Sequence, residues 1–442
     1  MATDSKTIAT TAPPPIPLPG RPVPVEEPRD RCIPVRPADL TRALLDLPAL
    51  APHEREGLQS LAKMLEAYYH HEFLDWQNEL KDLYAPLDPD VDCVDVAGHS
   101  RKLADDTDER FLKPFEAALL RANFRELGLG IIEQAIEAPN EHGLNYVPNF
   151  DLFEHLRVFV RGKATITRTV RNVKTRFRRR QILFEGYRRL IVVLKFKPGK
   201  KLRDDYVRSD VLYLRLFKDV PHVDMEMHLP EQGAKVKMRL VDKAQIASPI
   251  AVGIPTAAMK LLGAVGAAGI FGLASLSTAA LGAIMVAPIS AGVNSFFGFH
   301  RAKQKHLHRM IRHLFYLSMA NNASVITRLI DQAEEEEYKE ALLAYVFLHL
   351  GRDEPEPWTP DRLDARIESY LHDSLGINPD FEIADALGKL VRLGLVRQDR
   401  ADRLEALPLD NALAILDERW DDLFRHAPPS RARVEDGERD DS

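Results

Sequence analysis

The stretch "IASPIAVGIPTAAMKLLGAVGAAGIFGLASLSTAALGAIMVAPISAGVNSFFGF", residues 246–299, decides the fold class that the sequence predicts. Its only charged residue is Lys260. One helical crossing of a bilayer needs about 20 apolar residues, so the run is long enough for two crossings. Residues 274–280, "ASLSTAA", suit a tight turn between them. The sequence therefore predicts a two-helix transmembrane hairpin.

Small residues recur every four positions in both halves of this run. Such residues let helix backbones approach each other closely within a membrane. The predicted helix-packing positions are Ala264, Ala268, Gly272, Ala279, Ala283, Ala287 and Ala291. The alternative is a buried helical hairpin of a soluble protein, but soluble helices usually carry a polar stripe, and residues 261–299 lack one.

Lysines and arginines flank the run on both sides, within 235–243 and 300–313. Basic residues mark the cytoplasmic side, so this pattern predicts two crossings with both termini in the cytoplasm. The N-terminus has no apolar h-region and is poor in arginine, which argues against a secretory signal or transit peptide. The predicted location is a bacterial inner membrane. The two cysteines, Cys32 and Cys93, form no C-x-x-C pattern and exclude a disulfide scaffold.

Hydrophobic periodicity predicts an α+β multidomain fold around the hairpin. Helical spacing of apolar residues precedes residue 149, and strand alternation follows in "HLRVFVRGKATITRTV", "YRRLIVVLKFK" and "DVLYLRLFKDV". We expect an antiparallel meander of four to six strands with one face in solvent. Residues 305–350 suggest two helices, the second with an acidic start at Glu334–Glu337. Two helices and a β-hairpin then predict a winged-helix-like module.

The predicted organisation has seven regions. They are a disordered proline-rich lead-in (1–37), a helical region (38–148), a basic antiparallel sheet (149–245), the transmembrane hairpin (246–299), a helical region (300–352), an acidic winged-helix-like module (353–425) and a disordered tail (426–442).

The stretch "KDVPHVDMEMHLPE", residues 218–231, places metal-ligand types at alternate positions, namely His222, Asp224, Glu226 and His228. Neighbours on one face of a strand lie roughly 6.5–7 Å apart, too far for all four to reach one ion. The pattern favours a strand face that pairs with nearby arginines and lysines, and neither a metal nor a cofactor is predicted. The weak catalytic candidates are Asp219, Asp224 and Glu226.

Two charged regions bear on partners. The basic run at 171–181 suits the anionic headgroups of a bilayer better than nucleic acid. Its residues are Arg171, Lys174, Arg176, Arg178, Arg179 and Arg180. Residues 353–425 carry 18 acidic and 9 basic residues, and DNA would repel such a module. A protein partner is therefore expected for the module, and nucleic acid is not.

Several motifs together resemble the transmembrane protein 143 family, a domain of unknown function numbered 3754. They are "FVRG", "LFKDVPHVDMEMHLPE", "AKVKMRLVDK", "AEEEEYKEALLAY" and "FEIADALGKLVRLGLV". The resemblance spans about residues 40 to 420 and implies membrane association without established catalytic residues. Asp224 and Glu226 match the family pattern, whereas His222 and His228 do not.

The sequence thus predicts a membrane-anchored interaction or scaffold protein with its soluble domains on the cytoplasmic side, and it assigns no reaction. A metal-dependent hydrolase that uses Asp224 and Glu226 is one alternative. An oligomeric pore or transporter component is the other, and it would require a homo-oligomer because two helices per chain form no pathway.

Overall fold

The computed structural model describes residues 29–91, 107–128, 130–131, 144–147, 149–170, 180–199, 207–222, 235–238 and 316–423. These residues form an α+β fold with an antiparallel sheet, as predicted. The helices are α1 (Pro37–Leu45), α2 (Pro52–Tyr84), α3 (Thr107–Arg121), α4 (Ala323–Leu350), α5 (Pro360–Leu375), α6 (Ile383–Leu393) and α7 (Leu409–Leu423). The strands are β1 (Arg125–Leu127), β2 (Leu144–Val147), β3 (Phe153–Val170), β4 (Arg180–Phe196), β5 (Tyr213–Pro221), β6 (Lys235–Met238), β7 (Ser318–Asn321), β8 (Val396–Gln398) and β9 (Leu404–Ala406).

The transmembrane predictions are wrong for this structure. Within the ranges just given, no helix is long and apolar enough to cross a membrane. The longest helices, α2 and α4, each contain several charged residues, and each such charge at the centre of a bilayer would be costly. The finding contradicts the transmembrane part of the predicted fold class and the predicted two-span membrane location. Residues 246–299 themselves, with their seven small-residue positions, lie outside the described residues.

The chain divides into two compact units. Of the described residues, the first unit contains those within 81–114 and 124–328. The second unit contains those within 29–80, 115–123 and 329–423.

The first unit is built on a five-stranded antiparallel sheet with the strand order β1-β3-β4-β5-β7. Apolar residues at alternate positions face one core, as at Val158 and Val160 of β3 and Leu190 and Val192 of β4. Full burial of each such side chain contributes roughly 1.5–3 kcal/mol, which makes this face the main stabilising surface of the sheet. The strand β6 does not extend the meander, because it pairs with β2 in a separate two-stranded sheet. The strand expected at 223–231 lies outside the described residues.

A single asparagine connects β7 to α4 in the first unit. Asn322 has a positive φ of 50°, in the left-handed region. Its side-chain oxygen accepts a hydrogen bond from the Leu214 N–H at 3.2 Å, and its side-chain nitrogen donates to Asp90 Oδ2 at 2.5 Å. The buried Tyr84 hydroxyl donates to the Leu212 carbonyl at 2.6 Å beside it. These contacts join the end of α2 to the edge of the sheet.

The second unit has α4 as its central helix. Every residue from Glu336 to His349 is buried, so the helix is enclosed on all sides over nearly four turns. The sequence predicted two helices here, with the acidic run at the start of the second. The acidic run instead lies in the middle of the helix Ala323–Leu350, and residues 305–315 of the predicted pair lie outside the described residues.

The last part of the second unit has the element order of a winged helix. After α4, Trp358 forms an isolated antiparallel bridge with Leu404, then α5 and α6 follow, and β8 and β9 form a two-stranded hairpin. The Trp358 indole N–H donates to the Gly351 carbonyl at 2.8 Å, which ties the bridge to the end of α4. In this element order, α4 stands where a winged helix has its first helix, ahead of residue 353.

Candidate functional site

Only a few of the predicted site residues are among those that the structure describes. Asp219 is exposed near the end of β5, with a positive φ of 48°. Asp224, Glu226 and His228 lie outside the described residues, as do the basic residues 171–179. Arg180 is described only through its backbone at the start of β4. His222 is partly buried, and its ring lies 4.5 Å from that of Tyr187.

Asp108, Glu154 and His155 in the first unit are spaced closely enough to bind one metal ion. Asp108 lies in the first turn of α3, and the other two residues lie at the start of β3. The His155 imidazole is 3.4 Å from Asp108, whose pKa is lowered by the hydrogen bond from His155 and by Lys195, against the effect of burial. Carboxylates and imidazole are ligand types for zinc.

Lys195 places a cation in this group already. It pairs with His155 across the β3–β4 ladder and forms an ion pair with Asp108. Its ammonium also lies 3.5 Å from Glu154. Because the ammonium neutralises the carboxylates that a metal would need, we assign this group a structural role that joins α3 to the sheet.

A second charged group is buried in the interior of the second unit. The Lys389 ammonium of α6 lies 2.7 Å from Glu340, 3.4 Å from Glu337 and 2.7 Å from Asp385. We call these four residues the Lys389 cluster. Lys389, Glu337 and Glu340 are each at most 5% exposed, whereas Asp385 is exposed at the surface. Buried charges of this kind are found almost only in pairs, because the loss of water is costly.

Neighbouring polar groups complete the Lys389 cluster. The Asn123 side chain donates to Glu340 Oε1 at 3.2 Å, and Arg121 lies 3.6 Å from Glu337. The Tyr69 ring is fully buried, and its hydroxyl has no hydrogen-bond partner among the described residues. Burial raises the pKa of Tyr69, so its hydroxyl remains protonated at physiological pH.

The pKa values follow from one cation shared among three carboxylates. Burial raises the pKa of Glu340 to about 7 despite its contact with Lys389, and burial also raises that of Glu337. Burial would lower the pKa of Lys389, but Glu340, Glu337 and Asp385 together raise it. The lysine is therefore charged at physiological pH. Because three carboxylates share this one cation, the buried Glu340 carboxyl holds a proton near neutral pH.

The Glu340→Gln variant tests this assignment. A carboxyl whose pKa rises from 4.5 to about 7 on folding contributes stability that is complete below pH 4.5 and is lost as the pH rises through 7. The free energy of unfolding of the wild type should therefore fall by about 2–3 kcal/mol relative to Glu340→Gln between pH 4.5 and pH 8.

The measurement is urea unfolding of both proteins across this pH range. Glu335→Gln is the matched control, because Glu335 is exposed on the same helix. Its pH profile should parallel that of the wild type. A constant difference between wild type and Glu340→Gln at all pH values would contradict the assignment.

A further buried ion pair lies on α4, where its two residues alternate in sequence with Glu337 and Glu340. Glu336 and Lys339 are 2.6 Å apart and essentially inaccessible to solvent. Glu336 accepts a hydrogen bond from the Ile33 N–H at 3.0 Å, and Lys339 donates to the Ile33 carbonyl at 2.6 Å. The two side chains thus bind the backbone of one residue in the segment before α1.

Neither buried group is predicted from the sequence, although "AEEEEYKEALLAY" is among the motifs quoted above. Two signals could have found them. The run "EEYKE" is followed directly by the apolar "ALLAYVFL", which is typical of a helix that continues into a core. On α6, Lys389 falls on the same helical face as Ala386, Leu390 and Leu393, so the pattern already places a lysine on the buried stripe.

Comparison with protein-family models gives a match for part of the chain. Residues 187–324 match the family model described as "Protein of unknown function (DUF3754)". The match covers less than one third of the chain and supports the resemblance to that domain of unknown function. It does not confirm the name of the transmembrane protein 143 family. No solved structure matches the chain.

The matched residues include the second part of β4, all of β5, β6 and β7, and the beginning of α4. The match thus covers much of the sheet of the first unit and ends before the buried ion pairs of α4. Its description is consistent with a protein of unknown biochemical activity.

Proposed function

We propose that this chain is a protein-binding protein and that its acidic winged-helix-like module binds a basic partner. The observation that carries the proposal is the distribution of charge in the module. Its 9 basic residues are outnumbered by 18 acidic ones, and many of the basic side chains have contacts within the same unit.

Five basic residues of the module are held by acids or backbone carbonyls of the second unit. They are Arg362 with Glu354, Lys389 with the acids of its cluster, Arg392 with Glu72, Arg403 with Asp399, and Arg419 with the carbonyls of Arg392 and Leu393. These five positive charges are therefore paired within the second unit. The remaining acidic side chains give the module an acidic surface that can bind a partner.

The helix α7 shows this surface most clearly. Asp417, Glu418 and Asp421 are exposed, and none of them forms an ion pair with another described residue. Trp420 lies between them and is 39% exposed. Tryptophan is enriched among the residues that dominate binding energy in protein interfaces, so an exposed tryptophan among acids suits a basic protein surface with an apolar contact.

The same charges argue against nucleic acid. A DNA-binding winged helix neutralises phosphates with lysine and arginine, and binding then weakens steeply with salt. Here α6 carries Asp385 on its exposed side, and its one buried lysine is held by carboxylates. The module would repel a phosphate backbone.

The proposal predicts the effect of reversing the charge of α7. In Asp417→Lys/Asp421→Lys, the affinity of the full chain for an arginine-rich peptide should fall by about tenfold, because both acids are four residues apart on one exposed face. The measurement is fluorescence anisotropy of the labelled peptide at low and at physiological salt. In a separate titration, a labelled duplex DNA tests the nucleic-acid alternative.

The control is Asp75→Lys/Glu79→Lys, which reverses two exposed acids with the same spacing on α2. This variant should change the affinity by less than about twofold. Equal losses in both variants would mean that the peptide responds to net charge alone. That outcome, or tighter binding of the duplex than of the peptide, would refute the proposal.

A further inference from the structure

We infer that residues 29–33 occupy a peptide-binding groove of the second unit, and that a partner peptide of the form Arg-x-Arg-x-aliphatic binds there in their place. We call residues 29–33 the strap. They precede α1 and contact α4, α5 and the loop before α6. The inference rests on the proposed function, because it names the peptide chemistry that the acidic module binds and the segment that competes for it.

The groove recognises the backbone of the strap through Glu336 and Lys339. The carboxylate accepts the Ile33 N–H, and the ammonium donates to the carbonyl of the same residue. The Ile33 side chain is only 1% exposed. The carboxylate and the ammonium bind the backbone of this residue, whereas the burial of its side chain selects an aliphatic residue. An occupant also completes the hydrogen bonding of a buried ion pair, which would otherwise be costly.

The arginines of the strap supply the charge selectivity. Arg29 lies 3.0 Å from Glu368 and 3.2 Å from Asp380, and Arg31 forms an ion pair with Glu382. The Asp380 N–H also donates to the carbonyl of Asp30 at 2.9 Å. Two arginines, two residues apart, thus meet three acids of the module. Charge complementarity of this kind favours one sequence pattern over another.

The strap is held in a way that permits exchange. The side chains of Arg29 and Arg31 are 47% and 57% exposed, and ion pairs at such positions stabilise little because water screens them. A peptide in solution can replace these contacts while the rest of the second unit stays folded. The strap therefore acts as an internal competitor, and a basic partner must displace it.

The groove also has capacity for more positive charge than the strap provides. Asp364 on α5 has a buried oxygen, Oδ1, without a hydrogen-bond partner among the described residues. Burial and the neighbouring carboxylates of Glu368 and Asp380 raise the pKa of Asp364 to about 6, although Arg29 lies nearby. A partner with an additional lysine or arginine can therefore bind more tightly than the strap itself.

Thiol labelling of Cys32 in the full chain measures displacement of the strap. Cys32 is 7% exposed beside Ile33, and Cys93→Ser leaves it as the single cysteine of the chain. The probe is a synthetic peptide with the sequence of residues 28–36 carrying Cys32→Ser. We expect this peptide to accelerate labelling by a maleimide at least about tenfold, and to do so saturably, because it captures the opened state.

The matched control is the same peptide with Arg29→Glu and Arg31→Glu, which should change the labelling rate by less than about twofold. In the chain itself, Arg29→Ala/Arg31→Ala should accelerate labelling without any peptide. Circular dichroism of each variant verifies that the helices remain folded. Neither result depends on deleting the strap.

Labelling that no peptide accelerates, or that both peptides accelerate equally, would overturn the inference. The arginine-rich peptide assay on α7 separates this failure from that of the proposed function. If labelling is unchanged while the α7 charge reversal still weakens peptide binding, only the strap inference fails. If neither assay responds, both proposals fail.

Discussion

Replacing Lys389 with methionine is expected to lower the free energy of unfolding of the second unit by about 3–5 kcal/mol. The substitution keeps most of the side-chain volume and removes the cation that Glu337, Glu340 and Asp385 share. Two of these carboxylates are buried, so they would be left without compensation in a medium that solvates charge poorly. Native-state hydrogen exchange of the amides of α4 and α6 measures the loss directly.

Lys63→Met is the matched control, because Lys63 is exposed on α2 of the same unit. It should change stability by less than about 0.5 kcal/mol. The loss in Lys389→Met should also shrink as the pH falls from 8 to 5, since protonation removes the uncompensated charge of Glu337 and Glu340. A loss below about 1 kcal/mol at pH 8 would mean that the cluster contributes no more than a surface ion pair.

Replacing Asn322 with alanine is expected to cost the first unit about 2–4 kcal/mol. The variant removes the acceptor of the Leu214 N–H and the donor to Asp90, and it leaves an alanine with a φ of 50°. The buried Leu214 N–H then has no side-chain acceptor at the sheet edge. Urea unfolding, followed by hydrogen exchange of β5 and β7, measures the effect.

Two further variants separate the causes of this loss. Asn322→Gly removes the same hydrogen bonds but tolerates the left-handed conformation, so it should be about 1 kcal/mol more stable than Asn322→Ala. Asn321→Ala changes the exposed neighbouring residue and should cost less than about 0.5 kcal/mol. Equal stability of the glycine and alanine variants would show that backbone strain makes no contribution.

The sheet of the first unit was largely predictable from the sequence. Alternation over 155–170, 187–197 and 210–220 corresponds to β3, β4 and β5, because a strand that is half buried imposes a period of two on its own residues. The edge strands β1 and β7 were not predicted. They are three and four residues long, too short for a period to emerge, and they come from outside the predicted meander.

The candidate sites were less predictable. The run at Glu334–Glu337 matches the acidic start of a helix, which is a local preference. The burial of Glu340, just after this run, depends on a lysine 49 residues later, and that of Glu336 on the strap some 300 residues earlier. Residues so far apart in sequence leave no local pattern that would predict these contacts. Without them, a solvent-exposed helix start is the better interpretation.

By itself, the sequence determined the α+β class, the long antiparallel strands and the acidic charge of the last module, because periodicity and composition are properties of neighbouring residues. The tertiary structure alone decided which charged residues are buried, and that the strap contacts the buried pair Glu336 and Lys339. It showed, too, that no described helix is long and apolar enough to span a membrane, and that α4 buries several charged side chains within the second unit. A buried ion pair is stable only where distant parts of the chain supply its counter-charge and hydrogen bonds, and those parts meet only in the folded protein.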